Sequence, residues 1–132
     1  MSVHLLLDAR RLNSYTKYVI HPLISRTDFY CLLAGHNGVK FVCTLDVSQA
    51  FYSVELDEES KQKFRLALPV AGNFRLLKLA MGGRCSLQEW SRALSMVLSD
   101  LQYSDQLNFY ADDLFIVSTT NIDNVNAIKA NF

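Results

Sequence analysis

Asn108–Phe109–Tyr110–Ala111–Asp112–Asp113–Leu114–Phe115–Ile116 sets two adjacent carboxylates inside an otherwise apolar run. Burying either acid without a partner would be costly. The flanks therefore read as two short strands, joined by a turn that brings both acids to the surface together. Within one straight strand, Asp112 and Asp113 would point to opposite faces. Taken alone, these residues read most plainly as a solvated Asp-Asp hairpin turn. A third acid upstream changes that reading.

Phe41–Val42–Cys43–Thr44–Leu45 is rich in β-branched and aromatic residues, reads as a buried strand and ends at Asp46. Carboxylates converging at strand ends raise one another's pKa unless a cation lies between them. Mg2+ is the expected cation, because it is hard and is usually held by a few carboxylates together with substrate phosphates. Such a site serves two-metal phosphoryl transfer, in which one ion activates an attacking hydroxyl and the other stabilises the leaving pyrophosphate.

Composition sets the limits. The chain has 132 residues, 50% of them hydrophobic, enough for one core and one domain. No apolar run approaches a membrane span, and the leucine cluster at residues 5–7 stops at Asp8, too short for a signal-peptide core. Cys31, Cys43 and Cys85 lie far apart and read as reduced packing residues of an intracellular, cytoplasmic protein with no membrane partner. A formal net charge of zero argues against tight nucleic-acid binding by these residues alone. Residues 1–40 are nonetheless basic and residues 101–132 acidic. That asymmetry suits a site where phosphates meet carboxylates, and equally suits ordinary surface variation.

The coarse order of elements follows from periodicity and punctuation. Residues 3–7 read as a strand, and the segment from there to Pro22 as irregular. Thr27 or Asp28 can cap a helix through Phe29, Leu32 and Leu33 that Gly35 closes. A strand over 39–45 precedes a helical turn over 49–52. Residues 58–62 read as a polar turn before a strand over 63–68. Gly72 and Asn73 punctuate a hairpin into a strand over 74–79. Ser86 caps the main helix, whose Leu87, Trp90, Leu94, Val97, Leu98 and Leu101 define a buried stripe. The Asp-Asp hairpin follows, and residues 121–132 begin a last helix. This order is that of an α+β, ferredoxin-like (split βαβ) sheet with helices on one face.

At this point the residues match a known family. Tyr110–Ala111–Asp112–Asp113 resembles the Tyr-x-Asp-Asp box of retroviral and long-terminal-repeat retrotransposon reverse transcriptases. Leu45–Asp46 with Ala50–Phe51–Tyr52–Ser53–Val54 resembles the box carrying the family's first catalytic aspartate. Leu7–Asp8–Ala9–Arg10–Arg11–Leu12–Asn13 is similar to its Asp-x-Arg-x-Leu-Asn fingers segment, and Leu79–Ala80–Met81–Gly82 to its Leu-Pro-Gln-Gly variant. The segments stand in family order over roughly residues 5–118. The resemblance implies a polymerase palm over residues 39–132 with a partial fingers segment over 1–38, the thumb being absent. It implies an RNA-directed DNA polymerase acting on an RNA or DNA template with primer and dNTPs, as one piece of a Pol polyprotein with a thumb and ribonuclease H. Without a thumb, the isolated piece is expected to be inactive or very weak.

Residue by residue, the resemblance implies that Asp46, Asp112 and Asp113 are catalytic and, with the Val47 carbonyl, hold two Mg2+ ions, Mn2+ being a substitute. Val47, Ser48, Gln49, Ala50, Phe51 and Met81 would contact the dNTP, and Arg10 and Gly82 the template. Phe51 stands at the steric-gate position that excludes a 2′-hydroxyl; its structural alternative is a core aromatic. Arg10 reads equally as a solvated arginine. Three positions depart from the family pattern: Met81 where Gln is common, Leu87 where Pro is common, and His4 where an Arg grips the triphosphate. Two other readings are a catalytically inactive retroelement remnant or domesticated binding module, and a palm-like nucleotidyl cyclase or phosphotransferase. The fingers-like segment counts against the last.

Overall fold

The computed structural model describes residues 7–35, 38–100, 106–119 and 122–130. In chain order the elements are α1 (Arg10–Tyr15), α2 (Arg26–Gly35), β1 (Phe41–Asp46), a 3-10 turn (Ala50–Ser53), α3 (Glu58–Lys63), β2 (Arg65–Leu68), β3 (Gly72–Arg75), α4 (Ser86–Ser99), β4 (Leu107–Tyr110), β5 (Asp113–Ser118) and α5 (Ile122–Lys129). This is a mixed helix-and-strand architecture. It divides into two interleaved compact units, Met1–His21 with Gln49–Trp90 and Pro22–Ser48 with Ser91–Phe132. The expected strand over residues 3–7 lies outside the described residues except for Leu7, which is in no strand.

In the second unit, β1, β5 and β4 form an antiparallel three-stranded sheet with β5 in the middle. A central strand has neighbours on both edges, which explains its apolar run: Leu114, Ile116, Val117 and Ser118 are all buried, Ile116 completely. Register puts Leu45 opposite Leu114 and Cys43 opposite Ile116, with Leu107 and Phe109 completing that face on β4. α5 packs on β5 and β1, and its Val125 and Ile128 are buried. On the other face, the Phe29 ring of α2 meets Phe115 at 4.9 Å between centroids.

α2 begins earlier than the sequence suggested. Ser25 Oγ accepts from the Asp28 N–H at 3.1 Å, and Asp28 Oδ2 accepts from the Ser25 N–H at 2.8 Å. This reciprocal box makes Ser25 the cap, with Asp28 as the residue reaching back.

The first unit corrects several expectations. Residues 10–15 are helical, not irregular, with Asp8 accepting the Arg10 N–H at 3.2 Å just ahead of the first turn. Residues 58–62 lie in helix α3 and not in a turn. Asp57 caps α3 by accepting the Ser60 N–H at 2.9 Å, while Glu58 pairs with Lys61 and Glu59 with Lys63. Acids in the first turn and lysines in the last also match the helix dipole. Gly72 lies inside β3 opposite Leu68, so the hairpin loop is residues 69–71. β3 stops at Arg75, and beyond it Lys78 makes only an isolated bridge to Glu55. The Ser86 hydroxyl does not cap α4; it donates to the Ala80 carbonyl at 2.7 Å.

The stripe on α4 is also narrower than expected. Trp90, Leu94 and Leu98 are buried with Gln88 and Ser91, whereas Val97 is 61% exposed. At about 100° per residue, Val97 falls roughly 20° beyond Trp90, outside the arc centred on Leu94 and Leu98. Leu101 lies outside the described residues.

Candidate functional site

The buried ladder of β5 carries acids at its exposed end. Asp46, the last residue of β1, is directly opposite Asp113, the first residue of β5. Directly opposed antiparallel side chains have Cβ atoms roughly 5 Å apart, and like charges there destabilise the sheet. Tyr110 also faces Asp113, so Ala111 and Asp112 form the two-residue turn, and Ala111 adopts φ 54°. A left-handed residue matches the twist such tight hairpins require. The Val47 N–H donates to the Asp112 carbonyl at 2.9 Å and pins the turn against the end of β1. Asp46, Asp112 and Asp113 are all exposed, and among the described residues none has an ion-pair partner.

Among the described residues, no group of three or more His, Cys, Asp or Glu side chains is gathered closely enough to hold a metal ion as placed. The shared patch is therefore set by backbone register. The donor set nonetheless fits a hard divalent cation: three accessible carboxylates and the neighbouring Val47 carbonyl are all oxygen donors.

Beside the acids, residues from α2, β4 and β5 line a cavity of about 280 Å³ that includes Phe29, Asn108, Tyr110 and Phe115.

Ser48 is exposed at the end of the second unit; Gln49, Ala50, Phe51 and Met81 belong to the first, as do Arg10 and Gly82. Gln49 adopts φ 55°, the left-handed region that non-glycine residues rarely occupy, and leads into the 3-10 turn where Ala50 is buried and Phe51 half-buried. Met81 is 55% exposed. Gly82 has φ +94°, and a Cβ there would stand 3.2 Å from the Leu7 carbonyl oxygen, so a side chain would be strained in conformation and crowded by the backbone. Arg10 is exposed but engaged: its guanidinium forks onto Asp8 at 2.6 and 2.9 Å. That hydrogen bond holds the Asp8 carboxyl down at about 2.

Asn13 has no role in the sequence-derived site, yet its side chain grips the loop that carries Met81 and Gly82. Nδ2 donates to the Gly82 carbonyl at 2.9 Å, and Oδ1 accepts from the Arg84 N–H at 2.7 Å. Its place at the end of the Asp8–Asn13 segment was the available signal. The partner, 69 residues away, was not legible.

The model of the family described as reverse transcriptase (RNA-dependent DNA polymerase) matches residues 2–131. The chain is also 26% identical over 126 residues, 96% of its length, to the "Retrovirus-related Pol polyprotein from transposon 297" of Drosophila melanogaster. It spans 11% of that relative's length.

Proposed function

The chain belongs to the reverse transcriptase (RNA-dependent DNA polymerase) family, and we propose that it forms the palm and part of the fingers of a retroelement polymerase. On this reading, the β1–β5–β4 sheet is the core of a ferredoxin-like palm. The reaction is attack of a primer 3′-hydroxyl on the α-phosphorus of a dNTP, directed by an RNA or DNA template. A phosphodiester bond forms, the bond to the β-phosphate breaks, and pyrophosphate leaves. The carrying observation is the opposition of Asp46 and Asp113, with Asp112 tied beside them by the Val47 N–H and, among the described residues, no ion-pair partner for any of the three.

Asp46, Asp112 and the Val47 carbonyl would hold Mg2+, with Asp113 assisting. When bound, the two ions lower the barrier by activating the hydroxyl and by neutralising charge that develops on the leaving phosphates. The chain's own residues do the positioning. The β1–β5 ladder fixes the backbone positions from which the three exposed carboxylates would turn toward the ions. Backbone groups of Val47 to Ala50 would meet the triphosphate, and Phe51 would lie against the sugar, where its ring leaves no room for a 2′-hydroxyl. Arg10 reaches a template phosphate by exchanging one carboxylate contact with Asp8 for one phosphate contact. The remaining polyprotein, thumb and ribonuclease H included, would supply grip on the duplex.

The test is Mn2+ titration together with addition of a single nucleotide to a primer–template at low salt. Asp112→Asn should weaken Mn2+ binding and lower the addition rate by about 10²–10³-fold, the scale on which one preorganised charge-stabilising group acts. Unchanged Mn2+ binding in both Asp46→Asn and Asp112→Asn would overturn the reading and leave a binding module or inactive remnant.

A further inference from the structure

Cys85 Sγ in the loop over residues 80–86 donates to the Lys17 carbonyl at 3.1 Å, and two further locks on the loop differ in kind. At its base, the Ser86 hydroxyl donates to the Ala80 carbonyl at 2.7 Å, and Ser86 is buried. That contact belongs to the packing under α4. At its tip, the Asn13 amide takes the Gly82 carbonyl with its donor and the Arg84 N–H with its acceptor. A primary amide used at both ends is fixed in rotamer and cannot swivel without breaking one bond. Arg84 answers by donating from its guanidinium to the Asn13 carbonyl at 3.1 Å, with the same guanidinium 5.8 Å from the Tyr18 ring centroid. Met81, Gly82 and Arg84 are exposed and Asn13 only half-buried, so this second lock covers little apolar surface. What it specifies is the shape of an exposed loop.

We propose that Asn13 is the positioning residue of the Met81–Gly82 loop and thereby sets the nucleotide subsite that the loop offers. The proposal rests on the polymerase reading above for the identity of the ligand; the lock itself does not. Releasing Asn13 frees the Gly82 carbonyl and the Arg84 amide together. The loop then samples several shapes, and a dNTP must select the competent one, which raises its apparent KM by the inverse of that shape's population. The chemical step, set by the acids on another element, keeps its rate.

The experiment combines amide hydrogen exchange with single-nucleotide addition by the full chain in Mn2+. Asn13→Ala should speed exchange of the Arg84 amide at least about tenfold, while amides of helix α3 and strand β5 stay unchanged; the KM for dNTP should rise about tenfold, with kcat within about twofold. Asn13→Asp is the second variant. Its carboxylate keeps the acceptor for the Arg84 N–H and loses the donor to Gly82, so that amide should remain protected while KM still rises. Unchanged Arg84 exchange in Asn13→Ala would overturn the lock. Faster exchange with KM unchanged, or with kcat and thermal stability falling together, would reduce Asn13 to a structural contact. Wild-type chain that adds no nucleotide under any metal would overturn the subsite role in this chain, while the polymerase reading stays with the Mn2+ titration and the lock with the exchange result.

Discussion

Two antiparallel ladders in this molecule each bring like charges face to face, and they handle them differently. In the β2–β3 hairpin, Arg65 stands opposite Arg75. There the charge is met locally: the Arg65 guanidinium folds back to donate to the Gln62 carbonyl at 2.9 Å and to Gln62 Oε1 at 2.6 Å, and Arg75 lies close enough to Glu58 to help lower its pKa. In the β1–β5 ladder, Asp46 stands opposite Asp113 with no ion-pair partner among the described residues, although β5 is the most buried of the described strands. The hairpin is an exposed ribbon whose side chains can move apart. The central sheet sets the backbone of its acids directly above the buried Leu114 and Ile116. An opposition left uncompensated on a rigid scaffold points to a ligand; one quenched by its own neighbours does not.

The sharpest way to break that contrast is through its premise of rigidity. Ile116→Ala, at a fully buried position of β5, should destabilise the protein by about 2–5 kcal/mol in denaturant unfolding. Leu68→Ala, on the exposed β2 ribbon at 39% exposure, should cost well under about 1 kcal/mol. Equal losses would erase the distinction between the two ladders. Ser25→Ala removes the cap of α2, the helix whose Phe29 packs on β5, and should cost about 1 kcal/mol in thermal unfolding.

The electrostatic half of the contrast predicts a change of sign. Without divalent cations, Asp113→Asn should stabilise the protein by about 0.2–1 kcal/mol, because it removes a directly opposed like charge. Saturating Mn2+ should reverse that gain. Arg75→Gln should leave thermal stability nearly unchanged in either condition. Stabilisation by both substitutions alike would show that the acids are no more strained than the arginines.

The smallest effect concerns pH. The Asp8 carboxyl, bonded to Arg10, titrates near 2 in the folded chain against an ordinary 3.8. A depressed acid contributes stability that is fully present above its unfolded pKa and lost as pH falls through the folded one. The Asp8 contribution should therefore be complete above about pH 4 and disappear towards about pH 2. Both partners are largely exposed, so the change should be small and best read from the Asp8 carboxyl signal in NMR, with Arg10→Gln returning the midpoint to the ordinary range.

What was readable in the residues was local. Richness in β-branched and aromatic residues marked β1, although the strand is alternately half-buried and exposed and not buried as expected, and the apolar run broken by Asp112 and Asp113 marked the β4–β5 hairpin, because strand composition and turn chemistry are written within a few positions. Helix α3 was missed although its signals were equally local: Asp57 followed at the third position by Ser60, and acids placed ahead of lysines. The apolar content that usually announces a helix was lacking, since Glu58–Lys63 has no buried residue and stands on capping and ion pairs. The edge of the α4 stripe was blurred because sequence spacing does not say how wide an arc the surroundings will cover.

The sequence by itself determined which residue types could serve a phosphoryl-transfer site and which short elements would carry them. Only the tertiary structure decided that Asp46 faces Asp113 rather than one of its neighbours, and that Asn13 meets Gly82 and Arg84. A one-residue slip of β1 would turn all its side chains to the other face, so its register is held by burial of the whole β5 strand and not by Asp46. The Asn13 contact closes a loop of 69 residues, whose entropic cost is met by the packing of an entire unit, and no window along the chain contains that balance.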